Sequence, residues 1–286
     1  MYFESREIRL HYRRWWVECA LGVVVVSHGL GEHSGRYRRL AGELNARGYS
    51  VYVLDHYGHG QSPGRRGDVG DFFDYSRDLC RFVRLVRHEN PGLSLHLLGH
   101  SMGGVIACAS VVYPMDDCAV ESLVLSAPAF VGANEPSGVE FGLLKLLGHI
   151  CPGLPLSNRL QTQWISRDPD IVEAYRGDEL VHGRITPRWY AGYRRVREQL
   201  LAQPEALKIP CLLLLPEQDM LVDVSASHRW FNGLSGSVHR LCRFPGAYHE
   251  IFNEPEDGDK ALDLLVGHLN ALSRSPSPAL RDAVSP

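Results

Sequence analysis

No apolar run among the 286 residues approaches the roughly 20 positions that a membrane-spanning helix requires. The N-terminus, Met1-Tyr2-Phe3-Glu4-Ser5-Arg6-Glu7, lacks the basic residues followed by an apolar stretch that mark a signal peptide. A paired cysteine pattern is missing. The seven cysteines, at 19, 80, 108, 118, 151, 211 and 242, are odd in number and form no C-x-x-C pair, which argues against a disulfide framework or a zinc site and for a reducing compartment. Several lie in apolar runs, where a free cysteine acts as a small hydrophobe. An excess of one charge is also missing. The 30 Lys and Arg face 33 Asp and Glu, a formal net charge of −3, which gives no general attraction to nucleic acid or to an anionic membrane. Arginines dominate the basic set, and the run Arg194, Arg195, Arg197 reads as a solvated helix face. With no internal repeat either, these absences point to a cytoplasmic globular protein without a nucleic-acid partner.

What is present is an alternation of short apolar runs with helical spacing. Ile8, Leu10 and Tyr12 alternate with Arg9, His11 and Arg13, as in an edge strand or hairpin. Val23 to Ser27 is a β-branched run expected at the centre of a sheet. Tyr37 to Arg47 carries helical spacing and stops at Gly48, and Ser50 to Leu54 reads as the next strand. An amphipathic helix from Asp71 to Glu89, a strand from Leu93 to Leu98, a helix to Tyr113 and a strand from Ser122 to Ser126 follow. The alternation breaks after Ala127-Pro128 and resumes at Cys211 to Leu215, with a helix near Val224 to Asn232, a strand near Val238 to Phe244 and a last helix from Pro255 to Leu272. Strands that are nearly all apolar, each followed by a helix, imply an α/β fold with a mostly parallel sheet and helices on both faces. The expected organisation is a core of residues 1–128 and 207–272, a helical insertion with no convincing strand at 129–206, and a Ser/Pro-rich disordered tail at 273–286.

Chemistry concentrates at Gly99-His100-Ser101-Met102-Gly103. A serine between two glycines, after a buried strand and before the apolar start of a helix, has the pattern of a nucleophile elbow. The glycines permit the sharp turn, and the turn leaves amide N–H groups at a helix N-terminus, where negative charge is favoured. A serine needs a base, and the base needs an orienting acid; behind such an elbow they follow in the order acid, then histidine. The acid belongs after the strand Cys211 to Leu215, where Pro216-Glu217-Gln218-Asp219 offers Asp219 first, Asp223 second and Glu217 as an early third choice. The histidine belongs after the next strand. His239 falls within that strand, and His228 and His268 fall on helices. That leaves His249, after Pro245-Gly246. Two amides are needed to hold an oxyanion; Met102 supplies one, and Leu30, in His28-Gly29-Leu30-Gly31, the other. The ligand-rich turn Asp55-His56-Tyr57-Gly58-His59-Gly60 has no second cluster to complete a metal site, and His249-Glu250 fails the H-E-x-x-H pattern because Asn253 stands in the last position.

These blocks resemble monoglyceride lipases and their lysophospholipase-like relatives among the α/β-hydrolases. The resemblance rests on His28 to Tyr37, on Asp55 to Ser62 with Gly64, on Gly99 to Gly104, on Ser126-Ala127-Pro128 and on Tyr248-His249-Glu250 with Asn253-Glu254, in family order from about residue 20 to 270. Pro216, where relatives usually carry glycine, and the large Leu30 are its two departures. The resemblance implies a Ser101–Asp219–His249 triad, oxyanion donors at the amides of Leu30 and Met102, and a cap formed by 129–206. It further implies hydrolysis, without cofactor or metal, of a lipid ester bearing a single acyl chain. The apolar segment with Phe141, Leu143, Leu144, Leu146 and Leu147, together with Trp164, is expected either to receive the acyl chain and touch membranes transiently or simply to pack onto its own domain. A short-chain carboxylesterase, a peptidase, a catalytically silent binding module and a membrane-docked adaptor are the alternatives.

Overall fold

In a computed structural model, residues 1–114, 116–236 and 238–273 are described. The architecture follows from the period-2 placement of side chains in its strands. In β3 (Gly22–Ser27), Val23 and Val25 enter one core cluster and Val24 and Val26 the other, on the opposite face of the sheet. The same split divides Leu97 from Leu98 in β5 (Leu95–His100), and Leu213 and Leu215 from Leu212 and Leu214 in β9 (Cys211–Pro216). Strands buried on both faces must be covered by helices on both sides. Helices α1 (Arg38–Ala46) and α8 (Asp257–Leu272) cover one face through Leu40, Leu44, Leu262, Leu265 and Leu269. Helices α2 (Phe73–Glu89) and α3 (Met102–Val112) cover the other through Leu79, Phe82, Val105 and Ile106, with Trp230 of α7 (Val224–Asn232).

The remaining strands of the main sheet are β1 (Tyr2–Ser5), β2 (Ile8–Trp15), β4 (Tyr49–Leu54), β6 (Ser122–Ser126) and β10 (Arg240–Phe244), in the order β1-β2-β4-β3-β5-β6-β9-β10. β1 and β2 form an antiparallel hairpin whose first strand the sequence pattern did not single out; β2 is antiparallel to β4, and all later pairings are parallel. Ligands bind beyond the carboxyl ends of such strands, and the residues that follow β3, β5, β9 and β10 all emerge there.

Three expectations need correction. Residues 129–206 hold α4 (Gly138–Ile150), α5 (Pro169–Gly177) and α6 (Pro187–Ala202), but also a two-stranded antiparallel ribbon of β7 (Leu156–Ser157) and β8 (Arg184–Ile185). Two-residue strands leave no periodic signal. Arg197 does not sit on a solvated face: it is buried and pairs with Glu135, its Nη2 2.7 Å from Oε2. β10 begins at Arg240, so His239 lies just outside the strand. Of the expected tail, only Ser273 falls among the described residues.

The 129–206 segment is tied down unevenly. Its C-terminal half enters the main core through Trp189, Tyr193, Val196 and Leu200 of α6. His182 donates its backbone N–H to Gly31 O at 3.0 Å, a side chain on Gly67 would collide with the Arg184 backbone, and Arg188 pairs with Asp68. Helix α4, by contrast, buries none of its residues.

The packing of α3 against β3 decides where Ser101 stands. A Cβ on Gly103 would collide with the carbonyl oxygens of Ser27 and His28, and one on Gly99 would come within 2.6 Å of Gly103 O. Gly103→Ala is therefore expected to destabilise the fold by at least about 3 kcal/mol, because backbone rather than a flexible side chain must move; urea unfolding of the variant against wild type measures it.

Candidate active site

Ser101 occupies the single residue between β5 and α3, with φ 53° and ψ −122°. A non-glycine residue in this region is strained and persists only when its surroundings hold it. Three backbone hydrogen bonds do so: Ser101 N–H donates to Ser126 O at 3.0 Å, and Ser101 O accepts from Gly104 N at 2.9 Å and Ala129 N at 3.0 Å. The hydroxyl side of the turn faces the loop after β3, where a Cβ on Gly29 would lie 3.2 Å from Ser101 Cβ. Among the described residues, neither the Leu30 nor the Met102 backbone N–H donates to a protein acceptor.

The structure brings Asp219 and His249 together. His249 Nδ1 lies 2.6 Å from Asp219 Oδ2, while Asp219 Oδ1 accepts from the amides of Leu221 at 2.8 Å and Val222 at 3.1 Å. Burial alone would depress the His249 pKa. The charge and hydrogen bond of Asp219, helped by Glu250 and Glu32, outweigh burial and raise it above the ordinary histidine value. Asp223 stands elsewhere: it caps α7, accepting from Ser225 N at 2.9 Å. Glu217 pairs with Arg243 at 3.4 Å. Pro216 ends β9 without loss, since the next two amides, of Glu217 and Gln218, bond to Phe244 O and Ala247 O.

Ser101 and His249 line one cleft, a cavity of about 160 Å³ with its mouth open to solvent. Its apolar walls come from Leu30, Met102, Leu160, Ile185, Leu221 and Val222 and from Trp189, Tyr190 and Tyr193 of α6. None of Phe141, Leu143, Leu144, Leu146, Leu147 or Trp164 lines it, and Phe141 and Leu144 pack against the main core, the second of the two expectations for this segment. Phe141 also lies under the Arg194 guanidinium at 3.7 Å, Trp164 packs on Tyr248 at 5.3 Å, and Leu143 and Leu146 are exposed. The α6 aromatics escaped the sequence reading, although Trp189-Tyr190 and Tyr193 share the i, i+4 spacing of one helix face. Glu135, the one carboxylate among the described residues lining the cleft, is already engaged by Arg197, by the Tyr190 hydroxyl at 2.6 Å and by the Gly132 amide at 3.0 Å.

The turn at 55–60 is held by its own polar groups. Asp55 meets His11 Nδ1 at 2.8 Å and the Gln61 amide at 2.9 Å, and His56 Nε2 meets Ser27 Oγ at 2.9 Å. Burial keeps His28, His56 and His59 well below the ordinary histidine pKa, and therefore neutral.

The family model described as serine aminopeptidase, S33, matches residues 18–256. The chain belongs to this family. Within it, the chain is 36% identical over 271 residues to the monoacylglycerol lipase of Mycolicibacterium smegmatis, covering 92% of this chain and 94% of that one. It is 32% identical over 247 residues to the phospholipase YtpA of Bacillus subtilis, covering 86% and 94%. Among solved structures, the monoacylglycerol lipase of Paleococcus ferrophilus superposes with a TM-score of 0.83 at 34% identity, over 92% of this chain and 98% of that one. The fold is that of the α/β-hydrolases, as the motif blocks implied.

The two acidic candidates predict different losses. Asp219→Asn is expected to lower kcat by about 10⁴-fold, as when the orienting carboxylate of a serine–histidine pair is removed. Asp223→Asn should leave kcat within a few-fold, since asparagine also caps helices well. Steady-state hydrolysis of a chromogenic ester by both variants checks the assignment; the reverse ranking would assign the orienting role to Asp223.

Proposed function

We propose that this protein hydrolyses carboxylic esters of lipids with a single acyl chain, monoacylglycerol or lysophospholipid, with Ser101 as nucleophile, His249 as base and Asp219 as its orienting acid. The observation that carries the reading is the buried Asp219–His249 pair, 2.6 Å apart, opening onto the same apolar cleft as the strained Ser101. Ser101 Oγ attacks the ester carbonyl carbon while its proton passes to His249 Nε2, and Asp219 stabilises the imidazolium through Nδ1–H. The amides of Leu30 and Met102 receive the tetrahedral oxyanion. His249 then protonates the departing alcohol oxygen, leaving an acyl-serine, and the same base activates the water that releases the fatty acid. No cofactor or metal is required.

The substrate class is supported by the relatives and by the cleft. An acyl chain suits the apolar walls, and Asn134, Asn158 and Arg159 supply the polar surface a head group needs. A peptidase reading has less support. An aminopeptidase must bind a free α-ammonium, and Glu135, the carboxylate lining the cleft, is already neutralised by Arg197. Labelling by a fluorophosphonate probe, abolished by Ser101→Ala, is the expected result, with turnover rising from acetyl to medium or long acyl glycerol esters. Absent labelling of folded wild type would indicate a silent binding module, and a preference for acetyl esters a short-chain esterase.

We further propose that residues 129–206 act as a cap over the cleft and that α4 makes transient membrane contact. Val139, Leu143, Leu146 and Ile150 are all more than half exposed on this helix, whose N-terminal end follows directly on cleft residues Asn134 to Pro136. No helix among the described residues is long and apolar enough to cross a membrane. Leu143→Glu with Leu146→Glu is expected to reduce sedimentation with phosphatidylcholine vesicles several-fold while leaving hydrolysis of a short, water-soluble ester unchanged. Equal vesicle binding by variant and wild type would remove the membrane role from α4.

A further inference from the structure

Beside His249, outside the lining of the cleft, lies a buried polar cluster for which hydrolysis, as described, has no use. The carboxylates of Glu32 and Glu250 and a ring nitrogen of His100 come within 4.8 Å of one another. Arg36 joins the two carboxylates: its Nη1 lies 2.8 Å from Glu32 Oε1 and 2.7 Å from Glu250 Oε1, and its Nη2 3.0 Å from Glu250 Oε2. All three side chains are at least 89% buried. Each carboxylate belongs to a loop of the site. Glu32 Oε2 accepts from the Gly29 amide at 3.3 Å and from the Tyr37 hydroxyl at 3.0 Å, in the loop that carries Leu30. Glu250 is the neighbour of His249 in the chain, and its Oε2 also accepts from Asn253 Nδ2 at 2.8 Å. The outer face of the Arg36 guanidinium stacks over Tyr175 of α5 at 4.6 Å.

Two carboxylates against one guanidinium leave a net negative charge. His100 does not cancel it. Burial, and then the neighbouring His249, hold this imidazole below its ordinary pKa and therefore neutral, and its ring lies 4.8 Å from that of His249. Arg36 in turn keeps the Glu250 carboxyl well below the usual range against the effect of burial.

We propose that Glu32, Arg36 and Glu250 form a positioning group for the active site, fixing the Leu30 loop to the His249 loop and supplying a second negative charge near the imidazole. The proposal rests on the serine-hydrolase reading above. Asp219 then holds His249 in place from Nδ1, and the net negative charge of the cluster favours the imidazolium. The guanidinium is needed because two bare carboxylates so close together in a dry site could not both remain ionised.

The groups facing His249 are Asp219, His100, Glu32, Glu250 and, through the carboxylates, Arg36. The second-order rate of Ser101 labelling by a fluorophosphonate probe, followed against pH, reads the base directly and needs no assumed substrate. A base must be neutral to act, so the rate rises with pH through the His249 pKa. Removing a nearby negative charge lowers that pKa. Glu250→Gln and Glu32→Gln are each expected to move the acid limb down by about 0.5 to 1 pH unit. Arg36→Lys, which keeps the charge but loses the fork, should leave the limb in place and reduce the plateau rate about tenfold or more. A plateau that falls in all three variants with an unmoved limb, or carboxylate variants that match wild type, overturns the proposal. If wild type is not labelled at all, the serine-hydrolase reading itself fails. If Glu32→Gln does not fold, Glu250→Gln carries the test.

Discussion

The chain turns from β5 into α3 at one residue, and the rest of the site is arranged around keeping it there. Ser101 takes a left-handed backbone that a serine avoids, and the bonds that hold it come from three directions: Ser126 at the end of β6, Gly104 inside α3 and Ala129 beyond β6. That turn is possible only because Gly99 and Gly103 let helix and strand approach to backbone contact. The approach brings the N-terminus of α3 beside the loop after β3, so that Leu30 and Met102 line the same cleft as Ser101. A parallel sheet then delivers the loops after β9 and β10 to the same end. Asp219 and His249 thus meet although they come from different strands.

The core was legible because its signal is local and periodic. Four consecutive valines in β3 are buried on both faces of a sheet, and that alone required helices above and below. The elbow was legible because its glycines are a steric necessity. The carboxylate that meets His249 was only partly so, since Asp219 and Asp223 both follow β9. What separates them is loop conformation: the amides of Leu221 and Val222 turn back onto Asp219, whereas Asp223 faces the first turn of α7. The cleft wall was not legible. Helix α4 is apolar nearly all round, a composition shared by buried helices and by helices that await a surface, and only its position distinguished them. Arg197 looked solvated because its partner, Glu135, lies 62 residues earlier in the chain, beyond any periodic pattern. The Glu32–Arg36–Glu250 cluster escaped for the same reason, 214 residues separating its two loops.

A few charged groups of this molecule lie where water does not reach. The paired carboxylates of Asp219, Glu250 and Glu135 are all anchored by a cation, an amide or both. Such pairs contribute little net stability, since desolvation offsets most of their attraction. What they contribute is a fixed geometry, for the His249 ring through Asp219, for the loops that Arg36 joins through Glu250, and for the cleft wall through Glu135.

The uneven attachment of residues 129–206 has a mechanical consequence. One end is pinned by backbone approaches at Gly31 and Gly67, by the Arg188–Asp68 pair and by the aromatic rows of α6, whereas α4 at the other end holds on only through the half-buried Phe141 and Leu144. Of the two borders, the α4 side therefore has the less packing to lose when it is displaced.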